Sequence, residues 1–220
     1  FNPAYYSISK SMNYQTTYIK YFKKNIYPGI GHNKSSLKKE LYKYFIIIPI
    51  YNEYDYILKT LNSLNDQEST YLLNTLVVLI INNSTQCTKN IIQNNDKTKK
   101  LILSKNFNFE LTILDYYSKK NALPIEEFKI GTIRKIGMDF TLQLSNAQSL
   151  LFCLDADCVV SKDYLKHIIK CYKKYKFEAA TVNFKHQKSN NPTIEKAIRI
   201  YEKQLYYIAK KIKQCKSPYG

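Results

Sequence analysis

Hydrophobic and polar positions along this chain fall into a repeating pattern. Phe45-Ile46-Ile47-Ile48-Pro49-Ile50 is a continuous apolar run of strand length. Pro49 is expected at its end, because proline cannot serve a central ladder. The polar tip Tyr51-Asn52-Glu53 follows, then Ile57, Leu58, Leu61 and Leu64 at helical spacing, with Asn52 as the expected N-cap and Glu53 and Asp55 in the first turn. The pattern recurs. Residues 75–81 read as a second strand that ends in Asn82-Asn83-Ser84-Thr85 and runs into a short helical stretch. Residues 111–115 read as a third strand before a loop through Pro124, and residues 130–146 as a helix with Ile133, Ile136, Phe140 and Leu144 on one face. Residues 150–154 are the fourth strand, and Ser161 starts a helix carrying Leu165, Ile168, Ile169 and Tyr172.

Repetition of strand, polar tip and helix predicts an α/β fold, a mostly parallel central sheet with helices on both faces. A further helix over residues 193–213 places Ile194, Ala197, Ile198, Tyr201, Leu205, Ile208 and Ile212 on one side. Such a stripe is expected to pack on its own domain; a helix lying on a membrane surface is the alternative. Residues 1–43, rich in tyrosine, lysine and serine, read as an N-terminal extension to a main domain over 44–220. The first residue is Phe1, and Ser217-Pro218-Tyr219-Gly220 directly follow a helix-like segment, so the chain is expected to be part of a longer protein, truncated at its C-terminus.

The fourth strand brings in the chemistry. Its apolar residues give way to Asp155 and Asp157, separated by Ala156. Open α/β sheets collect ligands at the carboxyl ends of their strands. A carboxylate pair there suits a hard divalent cation, which in turn can grip a diphosphate. A lone D-x-D is common by chance. Its weight comes from the two other polar tips, Tyr51-Asn52-Glu53 and Asn82-Asn83-Ser84, expected at the same rim.

Composition narrows the partners. The 220 residues allow one substantial core. A formal net charge of +17 favours an anionic partner. The lysines are scattered, however, and no nucleic-acid recognition motif accompanies them, so an acidic membrane face is favoured over specific nucleic-acid binding. Cys87, Cys153, Cys158, Cys171 and Cys215 form no CxxC and no zinc spacing, which reads as free thiols in a reducing compartment, with Cys153 a small core residue. No run approaches the roughly 20 apolar residues that span a bilayer, and no secretory signal is visible. A cytoplasmic location, peripheral at the inner face of a membrane, is the expectation.

Taken in order, four segments resemble glycosyltransferase family 2. Ile48-Pro49-Ile50-Tyr51-Asn52-Glu53 is similar to the family's opening P-x-Y-N-E, and Asn82-Asn83-Ser84 to its Asp/Asn-Gly-Ser tip. Gly131-Thr132-Ile133-Arg134-Lys135-Ile136-Gly137-Met138-Asp139 is similar to G-x-x-x-A-R-x-x-G, and Leu154-Asp155-Ala156-Asp157 to the DXD motif. The likeness covers about residues 44–220. It implies a GT-A, Rossmann-like fold and metal-dependent transfer of a sugar from a nucleotide-diphosphate sugar to a hydroxyl acceptor. The acceptor it implies is a glycan or lipid-linked molecule in cell-surface glycan or polysaccharide synthesis.

The resemblance also implies residue roles. Pro49, Tyr51 and Glu53 would cradle base and ribose. Asp155 would lie against ribose and metal, and Asp157 would ligate Mg²⁺ or Mn²⁺ bridging the phosphates. Arg134 and Lys135 would meet phosphate or hold the loop. Asn82 stands where the family often has an acid that reads the base; asparagine can both donate and accept there. His186, in a stretch similar to the family's F-x-H, is the further catalytic candidate on the acceptor side, with a hydrogen-bonded structural histidine as the competing reading. The general base is expected near the end of this chain or beyond it. Two other readings stay open. A nucleotidyltransferase on a related sheet should carry a glycine-rich, lysine-containing loop where Tyr51-Asn52-Glu53 stands. A non-catalytic basic module binding anionic lipid or nucleic acid would tolerate loss of Asp155 and Asp157.

Overall fold

The computed structural model describes residues 14–29 and 42–214. They fall into two compact units, the first running through Lys173 and the second starting at Lys174. The expected Cys215 thiol lies outside the described residues.

In the first unit β1 (Tyr44–Ile50), β2 (Thr75–Asn82), β3 (Glu110–Tyr116) and β4 (Leu150–Cys153) form one sheet in the order β3-β2-β1-β4. Every neighbouring pair is parallel. Ile46, Ile48 and Ile50 of β1 and Val77, Leu79 and Ile81 of β2 enter one buried cluster, while Phe45, Ile47, Leu76, Val78 and Ile80 enter another. Burial on both faces is why these strands read as continuous apolar runs rather than as alternation. The first face is covered by Ile57, Leu61 and Leu64 of α2 (Ile57–Asn65) and by Leu165 and Ile169 of α6 (Tyr164–Tyr175). The short α3 (Ser69–Leu72) and α4 (Lys89–Leu103) add Leu72 and Ile102. Ile133, Ile136 and Phe140 of α5 (Ile130–Leu142) cover the second face. This is the mostly parallel, two-sided α/β sheet that the sequence predicts.

Pro49 pairs with Ile80 of β2, but the β4 ladder reaches only Ile47, so its missing N–H falls beyond the doubly paired part of β1. Asn52 is not the cap of α2. It adopts φ 60°, a left-handed conformation that asparagine tolerates, and a turn intervenes in which Glu53 O accepts the N–H groups of Tyr56 (3.1 Å) and Ile57 (3.0 Å). Glu53 therefore stands ahead of the helix instead of in its first turn. Cys153 is exposed and does not belong to the core: β4 is an edge strand among the described residues, with β1 on one side only, and Leu151 is also 36% exposed.

α1 (Tyr14–Lys24) and the turn after it are tied to α5. Asp139, fully buried, accepts the Tyr21 hydroxyl and the Tyr27 N–H, each at 2.7 Å, and pairs with Lys135. The Tyr27 hydroxyl donates to Glu127 at 2.5 Å. A buried carboxylate persists only when its charge and lone pairs are met in this way.

The second unit holds α7 (Pro192–Gln214) and the irregular segment before it. None of the described α7 side chains is buried, and Ile194, Tyr201 and Ile208 stay about half exposed. Within this unit the stripe finds no cover. Among the described residues of the unit, α7 is the one regular element after Tyr175, which supplies too little apolar surface to cover the stripe. No helix among the described residues is long and apolar enough to cross a membrane.

α5 lies close to the sheet at Gly137. A Cβ there would overlap Ile47 Cγ2 and approach Ile80 Cδ1 to 2.9 Å, and both are fully buried side chains. Gly137→Ala is expected to lower stability by about 1–3 kcal/mol, the usual cost of overpacking a filled core. Urea unfolding checks this as a lower midpoint at unchanged slope; an unaltered midpoint would contradict the close approach.

Candidate functional site

The carboxyl rim of the sheet opens into a cleft of about 500 Å³. Parallel pairing puts the ends of β1, β2 and β4 on this one edge, so their polar tips emerge together. Pro49, Tyr51 and Glu53 line the cleft from the β1 end and Asn82 from the β2 end. Asp155, Ala156 and Asp157 line it from the turn after β4. Arg134 reaches it from the first turns of α5, with Ile130 and Ile133 beside it. Of the sequence candidates only His186 belongs to the second unit, and Lys135 is turned away from the cleft onto Asp139, Tyr21 and the Asn25 carbonyl.

Each side chain is held by a traceable contact. The Asp155-Ala156-Asp157 turn and the segment after it are held by α2 and the bend that follows it: Thr60 Oγ1 donates to Ala156 O at 2.7 Å, Ser63 Oγ accepts the Val160 N–H at 3.1 Å, and Gln67, just past the helix, bonds both Ser161 O and the Leu165 N–H. Thr60, Ser63 and Gln67 are buried. Sequence reasoning passed over them, although Thr60 and Ser63, polar residues three apart on the inward face of an amphipathic helix, were a signal that this helix grips a loop. It also missed Phe128, whose ring meets Tyr51 at 5.1 Å and forms a wall of the cleft.

Asn82 is fully buried at the cleft floor. Both of its amide N–H groups are spent inside the protein, on Ile50 O and Ile80 O, each at 2.9 Å. Its Oδ1 is left without a partner. These two carbonyls call for a donor, which asparagine supplies and an ionised aspartate does not. The rest of the tip is less accessible than expected. Asn83 and Ser84 are buried, and the fully buried Asn95 of α4 ties the two tips by donating to Asn82 O and Asn83 Oδ1 and accepting the Asn52 N–H, all at 3.1 Å.

Charge in the cleft is mostly negative. Arg134 Nη2 donates to Asp155 Oδ1 at 2.5 Å, while its buried Nε has no partner. The Glu53 carboxyl is pushed above the ordinary glutamate range by burial first, then by the charges of Asp157 and Asp155. Three carboxylates facing one guanidinium would repel a diphosphate, and a divalent cation would reverse that balance. Among the described residues no three His, Cys, Asp or Glu side chains gather closely enough to hold a metal by themselves. Two carboxylates with the remaining positions filled by phosphate oxygens and water is the arrangement Mg²⁺ commonly takes, so the donor set fits.

His186 is fixed within its own unit. Its N–H donates to Glu202 Oε1 at 2.8 Å, its Nδ1 lies 3.2 Å from the same oxygen, and its carbonyl accepts from Arg199 at 3.2 Å. The His186 N–H, followed by the imidazole and Arg199, holds the Glu202 carboxyl below its ordinary value.

Residues 45–111 match the model of glycosyl transferase family 2. No curated protein matches the chain. Among solved structures it is similar to S. aureus TarS 1–349 in complex with UDP-GlcNAc, at 18% identity and a TM-score of 0.43, covering 64% of this chain and 37% of that one. It is also similar to TarS 1–349 in complex with UDP, at 20% identity and a TM-score of 0.38, covering 64% and 38%. The chain thus spans well under half the length of these structures.

Asn82→Asp is expected to destabilise the protein by about 3 kcal/mol or more, because it sets a buried carboxylate oxygen against two carbonyls in place of two donors. Urea unfolding of the two proteins at neutral pH measures it. Equal midpoints would mean that the amide contacts do not hold the tip.

Proposed function

We propose, on the match of residues 45–111 to the model of glycosyl transferase family 2, that the chain moves a sugar from a nucleotide-diphosphate sugar to a hydroxyl acceptor. The observation that carries this reading is the convergence of Tyr51, Asn82, Arg134, Asp155 and Asp157 on one cleft from four separate segments.

Tyr51, Phe128 and Pro49 supply flat apolar walls for a base. Asn82 has only an acceptor to offer, so it selects a base with an N–H to give. Uracil, thymine and guanine carry a ring N–H beside a carbonyl; the ring nitrogen of cytosine facing the same edge is an acceptor. At the diphosphate end, Asp155 and Asp157 would hold Mg²⁺ or Mn²⁺. When bound, such an ion acts as a Lewis acid that neutralises charge developing on the departing nucleoside diphosphate. Arg134 steadies Asp155 and keeps a further N–H for a phosphate oxygen. Glu53, whose carboxyl is raised by burial first and then by Asp157 and Asp155, lies in the same cleft as a hydrogen-bond partner for ribose hydroxyls.

His186 is assigned to shaping its own segment, since Glu202 takes both its N–H and its ring nitrogen. None of the described residues is assigned as the base that removes the acceptor proton. A growing glycan or lipid-linked precursor of a cell-surface polysaccharide is the proposed acceptor. The excess of lysine and the exposed apolar residues of α7 support peripheral attachment to an acidic membrane face from the cytoplasmic side.

A thermal-shift panel of UDP, dTDP, GDP and CDP, each with and without Mn²⁺, tests the reading. A ligand at a hundred times its Kd should stabilise by about 2.7 kcal/mol. Stabilisation is expected with Mn²⁺ and at least one of the first three, with CDP the weakest. Asp157→Ala should remove the Mn²⁺-dependent part while the free protein melts almost unchanged, its side chain being exposed. Silence from every diphosphate with metal present would reject nucleotide-sugar chemistry.

A further inference from the structure

The polar tip of β1 faces two ways. Tyr51 and Glu53 line the cleft above, whereas Asn52, Tyr54 and Asp55 line a second groove whose other wall is Asn90, Gln93 and Lys97 of α4. The left-handed Asn52 lies where the direction changes. At about 480 Å³ this groove is nearly as large as the cleft and within the range of small-molecule sites. Its frame is fixed by backbone contacts: the Asn52 N–H donates to Asn95 Oδ1 at 3.1 Å and the Tyr54 N–H to Asn94 Oδ1 at 3.3 Å.

The groove's chemistry differs from that of the rest of the chain. In a protein of net charge +17 it pairs one acid, Asp55, with one cation, Lys97, and so offers an anion no net attraction. No aliphatic side chain lines it, which leaves an apolar peptide or acyl chain nothing to bury against. What remains is four carboxamides, those of Asn52, Asn90 and Gln93 exposed and that of Asn94 half-buried, and the Tyr54 ring, 37% exposed. A carboxamide both donates and accepts, as a sugar hydroxyl does. A tyrosine ring adds an apolar face for the C–H side of a pyranose and a polar end. Asn90, Gln93 and Lys97 follow one face of α4 for about two turns, which forms a row suited to an extended ligand.

We infer that this groove is a binding site for an uncharged saccharide, held between α4 and the outward side of the β1 tip. The assignment does not depend on what the cleft binds, since a sugar chain can be held here whether or not a nucleotide sugar enters next door.

An array of immobilised neutral hexose and N-acetylhexosamine saccharides, from monosaccharide to hexasaccharide, beside uronic-acid, sialic-acid and phosphate-bearing ones, tests it with the intact chain. Binding should be confined to the neutral set. In calorimetry with the best binder, Gln93→Ala, Asn90→Ala and Tyr54→Ala should each weaken affinity roughly five- to tenfold, the size of one or two lost contacts. These side chains are exposed, so melting temperatures should not move. Asp157→Ala should leave saccharide binding intact, which separates this site from the cleft. Affinity that climbs with length identifies a glycan chain, and equal affinity for the monosaccharide identifies a single sugar; either supports the site. Absence of neutral-saccharide binding, a preference for charged sugars, or affinity unmoved by all three substitutions overturns it.

Discussion

Parallel pairing of β1 with both β2 and β4 is the constraint from which the other features follow. It buries β1 on both faces, which permits only apolar side chains along the strand and pushes polar groups to its end. It also sends every strand out of the core at the same edge. A helix linking two parallel strands must run back against them, so the N-terminal turns of α5 arrive at that edge as well. Arg134 consequently meets Asp155, which comes from the far side of the connection, without any long-range search by a flexible loop.

Buried polar contacts, rather than further apolar packing, then fix the rim. Asn95 joins the β1 and β2 tips through three hydrogen bonds, and Thr60 and Ser63 of α2, with Gln67 just past its end, hold the acidic turn and the segment after it. Such networks rigidify when every member is satisfied and are costly when one is not. Two buried polar atoms without a partner, Asn82 Oδ1 and Arg134 Nε, belong to residues of the cleft, where a ligand would complete them. The crowding of carboxylates falls in the same volume.

The strands and most helices were legible because their signals are local: apolar runs for β1 and β2, and helical periodicity at Ile133, Ile136 and Phe140. The site residues on strand tips were legible for the same reason, since a tip is defined by where a run stops. What was not legible depends on three-dimensional neighbours. The exposure of Cys153 follows from β4 having a single neighbour among the described residues, and nothing in Leu150-Leu151-Phe152-Cys153 states how many neighbours a strand has. The cap of α2 was misplaced because the left-handed turn at Asn52 leaves no mark beyond asparagine's tolerance for it. The direction of the Asn82 amide needed the positions of Ile50 O and Ile80 O, contributed by two different strands.

The knot at Asp139 bears on how the chain may be divided. Composition suggests a boundary at residue 43, yet two of the groups that neutralise or solvate this interior carboxylate, the Tyr21 hydroxyl and the Tyr27 amide, lie before it. A version beginning at Tyr44 would strand the acid opposite Lys135 alone and loosen α5 about one and a half turns from the guanidinium that steadies Asp155. Any shortened form meant to keep the cleft intact therefore has to retain the tyrosines of that leading stretch, which act as a brace for the rim that carries Arg134 and Asp155.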